Sequence, residues 1–191
     1  MASIRAGQRT VLLVVDVQAG VVDGAWQAER VVGKVARAVE RARAAGAPVI
    51  WVQHQSEELP AGSPAWQWAE GLEPAAGEAR IDKRHNSSFE GTALEADLAR
   101  LGATHLVLAG AATNWCIRAT AYAALERGYD LTLLEDAHTT ASMELEGGRI
   151  IEAAAVVEDL NLAMRWLDYP GRRNAVASAE SVDFGSPAAP R

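Results

Sequence analysis

The sequence has little cysteine and no long apolar run, and both shortages narrow the kind of protein it encodes. Its 191 residues include one cysteine, Cys116, which excludes an internal disulfide and a cysteine-based metal cluster and fits a reducing compartment. No apolar run approaches about 18 residues, so no membrane-spanning helix is expected. Residues 1–10 lack the apolar core of a signal peptide. These absences predict a cytoplasmic protein with no membrane partner.

Positive charge is also scarce, with 18 Lys and Arg against 25 Asp and Glu and a net charge of -7. This balance argues against a nucleic-acid partner. The glycine-rich phosphate-binding motifs and the Gly-x-Ser-x-Gly nucleophile turn are absent. The histidines have no metal-ligand spacing, so a structural or pocket role is the better interpretation of each: His54, His85, His105 and His138. We therefore expect neither a cofactor nor a metal.

What the sequence does contain is an alternation of apolar, strand-like runs with amphipathic, helix-like runs. Strands are predicted at residues 11–17, 48–54, 80–83, 104–109, 129–135 and 160–166. Helices are predicted at residues 28–45, 116–127 and 146–159, and from a Thr92–Glu95 capping box to Gly102. The alternation predicts an α/β fold, three-layer and Rossmann-like, with a mainly parallel six-stranded sheet and helices on both faces. One domain is expected to cover residues 1–191, with a tail from about residue 170 on the surface or on a partner subunit.

Two residues with reactive side chains follow predicted strands. Cys116 lies between a strand and a helix, where the helix dipole favours a thiolate, and Asp16 ends the apolar run 11–17. Ligands of parallel sheets bind beyond the carboxyl ends of the strands, so both residues are expected to face one crevice. Taken singly, each has an ordinary explanation, as an inert buried thiol and a loop-capping carboxylate. Lys83 lies in the charged stretch 81–85, and its ordinary explanation is a solvated surface cation.

Residues 55–79 form a long predicted loop, and such loops are usually functional. The loop has no Lys or Arg and carries five glutamates, Glu57, Glu58, Glu70, Glu73 and Glu78. A dianionic substrate would prefer basic donors, so a neutral or cationic small molecule is favoured if the loop overhangs the crevice. A solvated loop face explains the glutamates equally well.

Three segments, in this order, resemble the isochorismatase-like cysteine hydrolases. Residues 11–18 (VLLVVDVQ) resemble the opening strand of that family, and Lys83 followed by residues 87–94 (SSFEGTAL) resembles its lysine segment. Residues 110–120 (GAATNWCIRAT) resemble its nucleophile turn, and Asp136-Ala137 fits the motif that follows its next strand. The likeness extends over about residues 10–168.

The resemblance implies an amidohydrolase that needs no cofactor and cleaves a C–N bond through a thioester. Asp16 would accept the proton of Cys116, and Lys83 would keep Asp16 ionised. The resemblance also implies a cis peptide between Ala111 and Ala112 and an oxyanion hole made by the amides of Ala112 and Cys116. The residues predicted to contact the substrate are Gln53, Trp66, Trp68 and Trp115.

Two departures from the family pattern refine this hypothesis. Gln53-His54-Gln55 stands where family nicotinamidases have a metal-binding Asp-x-His, which predicts that the metal site is absent. Asn114-Trp115 replaces the frequent Asp-x before the cysteine. The tryptophan-rich loop and residues 111–122 look close to the streptothricin hydrolase branch, whose members open a cyclic amide of a cationic antibiotic.

Three further questions stay open at this stage. Members of the family commonly associate, so a homo-oligomer is expected. An isochorismatase-type hydrolase of a small acid is one alternative function. A thiol redox sensor or binding module is another, although a sensor does not require Asp16 and Lys83 together.

Overall fold

A computed structural model of the chain describes residues 5–185. Its strands are β1 (Arg9–Val15), β2 (Val49–His54), β3 (Ala79–Lys83), β4 (Ala103–Ala111), β5 (Asp130–Thr139), β6 (Met143–Glu144), β7 (Ile150–Ile151) and β8 (Asn174–Ala177). Its α-helices are α1 (Ala19–Val22), α2 (Ala28–Ala44), α3 (Leu94–Leu101), α4 (Arg118–Glu126) and α5 (Ala153–Trp166), and a π-helical turn covers Thr113–Ile117.

Six strands form one sheet in the order β3-β2-β1-β4-β5-β8, and every pair of neighbours runs parallel. The strands β6 and β7 pair separately as a short antiparallel ribbon. The chain moves outward from β1 to β3, then crosses back to β4 and continues to the other edge. The predicted α/β class with a parallel six-stranded sheet is confirmed.

The sheet is covered by helices on both faces. In β1, Leu12 and Val14 pack on the face that also receives the apolar side of α2, whereas Leu13 and Val15 pack on the face covered by α3, α4 and α5. A central strand buried on both sides needs a continuous apolar sequence rather than an alternating one. The run from Val11 to Val15 meets that requirement, since each of its residues is fully buried.

The prediction of a strand at residues 160–166 is wrong, because these residues form the second half of α5. Leu160 and Met164 are buried, four positions apart on one helical face. Leu162 and Trp166 are the exposed apolar residues that made the stretch seem to alternate, and Trp166 is 80% exposed. The helical face accounts for Leu160 and Met164 alone. Leu162 and Trp166 are apolar but exposed, and together the four residues imitate the period of two of a strand.

The sixth strand comes instead from the tail, so the prediction of a surface tail is wrong for residues 174–184, and contact of the tail with a partner subunit stays a prediction. The strand β8 pairs with β5, and the Arg173 backbone N–H donates to Asp130 Oδ1 at 2.7 Å. Beyond β8, Ala179, Val182 and Phe184 are buried against the α2 face of the sheet. Residues 186–191 of the predicted tail lie outside the described part of the chain.

Two predicted helix starts also differ. Residues 146–152 belong to the β6–β7 ribbon and its turn, where Gly147 and Gly148 adopt positive φ values of 85° and 78°, so α5 begins only at Ala153. The capping box at Thr92 does not form. The Thr92 hydroxyl donates to the Ser88 carbonyl at 2.6 Å and accepts from the backbone of Leu94.

Among residues 5–185, no helix combines the length and the apolar composition that are needed to cross a bilayer.

Candidate active site

The sheet reverses its strand order between β1 and β4, and parallel sheets bind ligands beyond the carboxyl end of such a point. Asp16 follows β1, and Cys116 follows β4 by five residues. Close packing of the two strands here requires a glycine. Gly110 has a φ of 134°, and a Cβ at that position would lie 1.9 Å from the carbonyl oxygen of Val15. Asp16 and the turn after Ala111 are thereby held next to each other.

Asp16 lies at the end of β1 in a left-handed backbone conformation with φ of 52°. This conformation is uncommon for a residue with a Cβ, although Asp tolerates it better than most. The side chain is buried, and its Oδ2 lies 2.6 Å from Lys83 Nζ. Burial raises the pKa of the carboxyl group above its usual range, and the positive charge of Lys83 acts in the opposite direction. Without the ammonium, the carboxyl group would therefore bind a proton more readily.

Lys83 ends the edge strand β3, and its side chain is completely buried. Besides Asp16, its Nζ has three neighbours: it donates to the His85 carbonyl at 3.1 Å and to Cys116 Sγ at 3.2 Å, and lies 3.5 Å from His54 Nδ1. Lysine is rarely buried unless it is paired. The structure therefore excludes the solvated-cation interpretation of Lys83 and brings it together with Asp16 and Cys116.

Cys116 lies within the π-helical turn Thr113–Ile117 rather than at the first residue of an α-helix. The Ala112 carbonyl closes this turn by accepting from the backbone N–H groups of Trp115 and Ile117, each at 3.1 Å. Burial, followed by the charge of Asp16, raises the pKa of the Cys116 thiol to about 12. The prediction that a helix dipole favours a thiolate is therefore wrong for the resting site. A neutral thiol at this position needs a base to become a nucleophile.

The peptide between Ala111 and Ala112 is cis, as the resemblance implied. It lies between the end of β4 and the turn that holds Cys116. The function of the Ala112 and Cys116 amides as an oxyanion hole stays a prediction.

Gln18 and Gln53 fix the long loop over the ends of the strands. Gln18 Nε2 donates to the carbonyl oxygens of His54 and Trp66, both at 3.0 Å, and Gln18 Oε1 accepts from the His54 backbone at 2.8 Å. Gln53 Nε2 donates to the same Trp66 carbonyl at 2.9 Å. The loop after β2 is thus tied to β1 and β2 at Trp66.

The four predicted substrate contacts occupy different environments. The amide N–H group of Gln53 is engaged with the loop, and Trp68 packs edge-on against Trp51, with 5.0 Å between ring centroids. Trp115 is 53% exposed beside the nucleophile. Nε1 of Trp66 is buried without a hydrogen-bond partner among residues 5–185. Substrate binding by these residues stays a prediction, with Trp66 and Trp115 the more available pair.

The glutamates of the loop do not act as one group. Glu78 is occupied by Arg43, with N–O distances of 2.8 and 2.9 Å, and by the indole N–H of Trp51 at 2.7 Å. Glu57 lines a cavity of about 410 Å³ next to the ends of β2 and β3, and Asp16, Lys83 and Cys116 are not among its lining residues. Arg84, which directly follows Lys83, lines the same cavity. The charge of this cavity is therefore mixed, although the loop itself has no cation.

Three residues near the site were missed as contributors by the sequence analysis. Gln18 belongs to the strand motif but was given no role, and His54 and His138 were assigned only general roles. His138 is buried and contacts Thr113 of the π-helical turn. Only the position of Gln18 next to Asp16 could have drawn attention to it, because a side chain's partners across the fold leave no mark in a single sequence.

Residues 5–185 contain no group of three or more His, Cys, Asp or Glu side chains that could hold a metal ion. Activity without a metal stays a prediction.

The sequence of this chain is similar to those of known proteins, and this similarity identifies its family. Residues 10–160 match the isochorismatase domain. The chain belongs to the isochorismatase family. It is 38% identical over 147 residues to a streptothricin hydrolase of Streptomyces noursei, a match that covers 73% of this chain and 57% of the relative. A second streptothricin hydrolase of that organism is 37% identical, with 68% and 49% covered. The chain thus spans about half the length of these relatives.

Other family members extend the comparison. A ureidoacrylate amidohydrolase of Methylobacterium radiotolerans is 30% identical over 177 residues, covering 71% of this chain and 69% of the relative. The crystal structure of an isochorismatase from Pseudomonas putida superposes with a TM-score of 0.82 at 29% identity, covering 92% of this chain and 90% of that one. The fold and the family predicted from the sequence are confirmed.

Proposed function

We propose that this protein is a cysteine hydrolase that cleaves an amide C–N bond through a thioester on Cys116. The observation that carries the proposal is the buried contact of Lys83 Nζ with both Asp16 Oδ2, at 2.6 Å, and Cys116 Sγ, at 3.2 Å. A thiol with a pKa near 12 is a poor nucleophile by itself. A carboxylate beside it, held ionised by an ammonium, supplies the base that it lacks.

The reaction follows from this arrangement. Asp16 takes the proton of Cys116, the sulfur attacks the amide carbonyl, and the oxyanion is stabilised by the amides of Ala112 and Cys116. The C–N bond then breaks, and Asp16 returns the proton to the leaving amine. Water, deprotonated by Asp16, attacks the thioester, and the departing sulfur regains the proton. Each cycle consumes one water and yields an acid and an amine, which are separate products of a linear amide and the two ends of one ring-opened product of a cyclic amide.

The substrate class is a neutral or cationic amide, linear or cyclic, of the streptothricin type. The similarity to two streptothricin hydrolases supports a cyclic amide, and the lack of Lys and Arg in the loop of residues 55–79 supports a neutral or cationic one. Trp115 and Trp66 could face such a cation with their rings, worth about 0.5 to 2 kcal/mol each.

Hydrolysis of a small acid of the isochorismate type is a second candidate. The observation that favours it is Arg84, which lines the same cavity as Glu57 and could pair with a carboxylate.

The test is a panel of cationic, neutral and anionic amides, with isochorismate included. Hydrolysis of linear substrates is followed by the release of ammonia, amine or acid, and ring opening of cyclic amides by the mass gain of one water. We expect amide hydrolysis by the wild type, none by Cys116→Ala, and at most a trace by Cys116→Ser, because a hydroxyl ionises far less readily. Trapping the acyl group on Cys116 by mass spectrometry checks the thioester. Turnover by Cys116→Ala near the wild-type rate would refute the mechanism. A protein that hydrolyses nothing but is reversibly oxidised at Cys116 would support the redox alternative.

A further inference from the structure

A row of buried polar side chains lies behind the turn that carries Cys116. His138, near the end of β5, places its Nδ1 2.9 Å from Thr113 Oγ1 and its Nε2 3.0 Å from Asn161 Oδ1. Asn161, on α5, donates from Nδ2 to the Glu135 carbonyl at 3.1 Å. All three side chains are buried. The row therefore connects α5, β5 and the first residue of the π-helical turn.

The direction of each hydrogen bond in this row can be deduced from its fixed end. A backbone carbonyl only accepts, so the Asn161 atom that faces Glu135 must be the NH₂ group. The Asn161 atom that faces His138 is then the oxygen, which also only accepts, so His138 Nε2 carries a proton. In a neutral imidazole the other nitrogen is an acceptor. The Thr113 hydroxyl consequently donates its proton to His138 Nδ1.

The neutral form of His138 is also the one that its surroundings favour. Burial lowers the pKa of His138 to about 4, more than the hydrogen bond to Asn161 and the charge of Asp136 raise it. Near neutral pH the imidazole is therefore uncharged.

The end of β5 holds the next residue of the turn in a similar way. Thr140 Oγ1 donates to Asn114 Oδ1 at 2.6 Å, and Asn114 Nδ2 contacts Met143 Sδ at 3.4 Å. Two consecutive residues shortly before Cys116 are thus fixed by side chains from β5 and the strand that follows it. Their fixed rotamers define where the turn presents the sulfur.

We propose that His138, protonated at Nε2 and oriented by Asn161, is a positioning residue that holds the Thr113 hydroxyl and so keeps Cys116 against Asp16 and Lys83. The proposal rests on the proposed function, in which Cys116 is the nucleophile. His138 acts only through Thr113, because its two ring nitrogens are occupied within the row.

The test uses alkylation of Cys116, which needs no substrate and is specific because the chain has one cysteine. Thr113→Val removes the hydroxyl with little change in shape, and His138→Gln removes the Nδ1 acceptor while an amide can still reach Asn161. Thr132→Val is the control, since it breaks another Thr–His hydrogen bond, partly buried and 2.8 Å long, to His105 near the amino ends of β4 and β5. Thr113→Ser keeps the hydroxyl and serves as the rescue variant. Thermal unfolding is measured for all four.

We expect Thr113→Val and His138→Gln to accelerate iodoacetamide alkylation at pH 8 by about two- to tenfold, the change that one net hydrogen bond can produce. A sulfur released from its position loses the burial and the Asp16 charge that raise its pKa, so its ionisation should move toward about 8.5. Because both variants break one bond, their combined effect should be smaller than the product of the two. The kcat of amide hydrolysis should fall while KM stays near that of the wild type. Thr113→Ser and Thr132→Val should alkylate like the wild type.

Two results would overturn the proposal. The first is wild-type alkylation in Thr113→Val and His138→Gln with a loss of stability like that of Thr132→Val, which would make the row purely structural. The second is a ¹⁵N NMR spectrum of the wild type in which His138 carries its proton on Nδ1 at neutral pH. Neither readout requires turnover. Failure to find any hydrolysed amide would count against the proposed function alone.

Discussion

Asp16 and Lys83 form a buried ion pair in which the charge of each side chain compensates that of the other. Breaking such a pair by removing one partner typically costs about 3 to 5 kcal/mol, because the remaining charge is left uncompensated. Here the carboxyl group can avoid that penalty by binding a proton, since burial already raises its pKa. A proton on Asp16 would remove the base that the proposed mechanism requires.

Lys83→Met should therefore lower kcat/KM by several orders of magnitude while Cys116 stays in place. The physical reason is that Asp16 takes up a proton when the ammonium is absent. The measurement is kcat/KM against pH, and the remaining activity should rise toward alkaline pH as Asp16 ionises. Lys34→Met is the control, since Lys34 pairs with Glu180 at 2.7 Å at the surface and its loss should leave the rate unchanged. Full activity in Lys83→Met would show that the ion pair is dispensable.

At the scale of elements, the segment after α5 contributes to the core although its composition predicted a surface tail. Phe184→Ala should lower the free energy of unfolding by about 3 kcal/mol or more, as is usual for a buried Phe, because Phe184 packs on the α2 side of the sheet. Leu162→Ala, at an exposed position of α5, should change it by less than about 0.5 kcal/mol. Urea unfolding of both variants provides the comparison. Equal, small effects would contradict the placement of this segment.

The long loop is the second element whose contribution can be tested. Glu57 lines the cavity next to the strand ends, whereas Glu70 lines a separate cavity beside α2. Glu57→Gln should therefore reduce kcat/KM for cationic amides relative to neutral ones, by roughly two- to fivefold for one partly screened charge. The effect should diminish at high salt, where the Debye length falls to about 3 Å at 1 M. Glu70→Gln should have no effect. A preference for anionic substrates that depends on Arg84 would favour the small-acid candidate.

The elements differ in how far the sequence alone could define them. The continuous apolar run of β1 and the long amphipathic α2 carry strong signals, and both were predicted within about two residues. The strand β8 has four residues and no distinctive pattern, and it exists because β5 offers a free edge. Residues 160–166 had a pattern that was misleading, since exposed apolar residues between the buried ones of a helix produced an apparent alternation. Short elements are defined by what they pack against, and a single sequence does not contain that information.

The site shows the same division. The proximity of Asp16, Lys83 and Cys116 could be predicted because they belong to recognisable segments at strand ends, and their catalytic roles stay a prediction. The buried row behind the turn could not, because His138, Asn161 and Thr113 lie on three different elements and have ordinary sequence surroundings. Burial and the charge of Asp16 raise the pKa of the Cys116 thiol, which is opposite to the direction expected from a helix dipole.

For the molecule as a whole, stability should depend on pH through two histidines, the buried His138 and the half-buried His105. Burial lowers the pKa of both His105 and His138 to about 4. For His105, Asp130 and Asp183 act against this shift and Arg173 adds to it. In the unfolded chain both histidines bind a proton at about pH 6.5, whereas in the native state they do so only near pH 4. The free energy of unfolding is therefore highest above pH 6.5 and decreases as pH falls toward 4. By pH 4, each histidine has lowered the free energy of unfolding by up to about 3 kcal/mol relative to its value at neutral pH.

The measurement is the free energy of urea unfolding between pH 7 and pH 5, a range above the titration of most carboxylates. It should decrease steadily as pH falls. His105→Gln should make the decrease shallower, because one of the two groups no longer titrates. A free energy of unfolding that is constant over this range would show that both imidazoles are accessible to protons in the native state.

Within residues 5–185, the strand β3 has a hydrogen-bonded neighbour on one side only, and its last residue is Lys83. Edge strands open locally with less free energy than global unfolding requires. On warming, β3 should therefore separate from β2 while the remaining strands are still paired, and the ammonium would leave Asp16 before the molecule melts. The upper limit of the temperature range in which the protein works would then be set by the pairing of the five residues of β3 with β2.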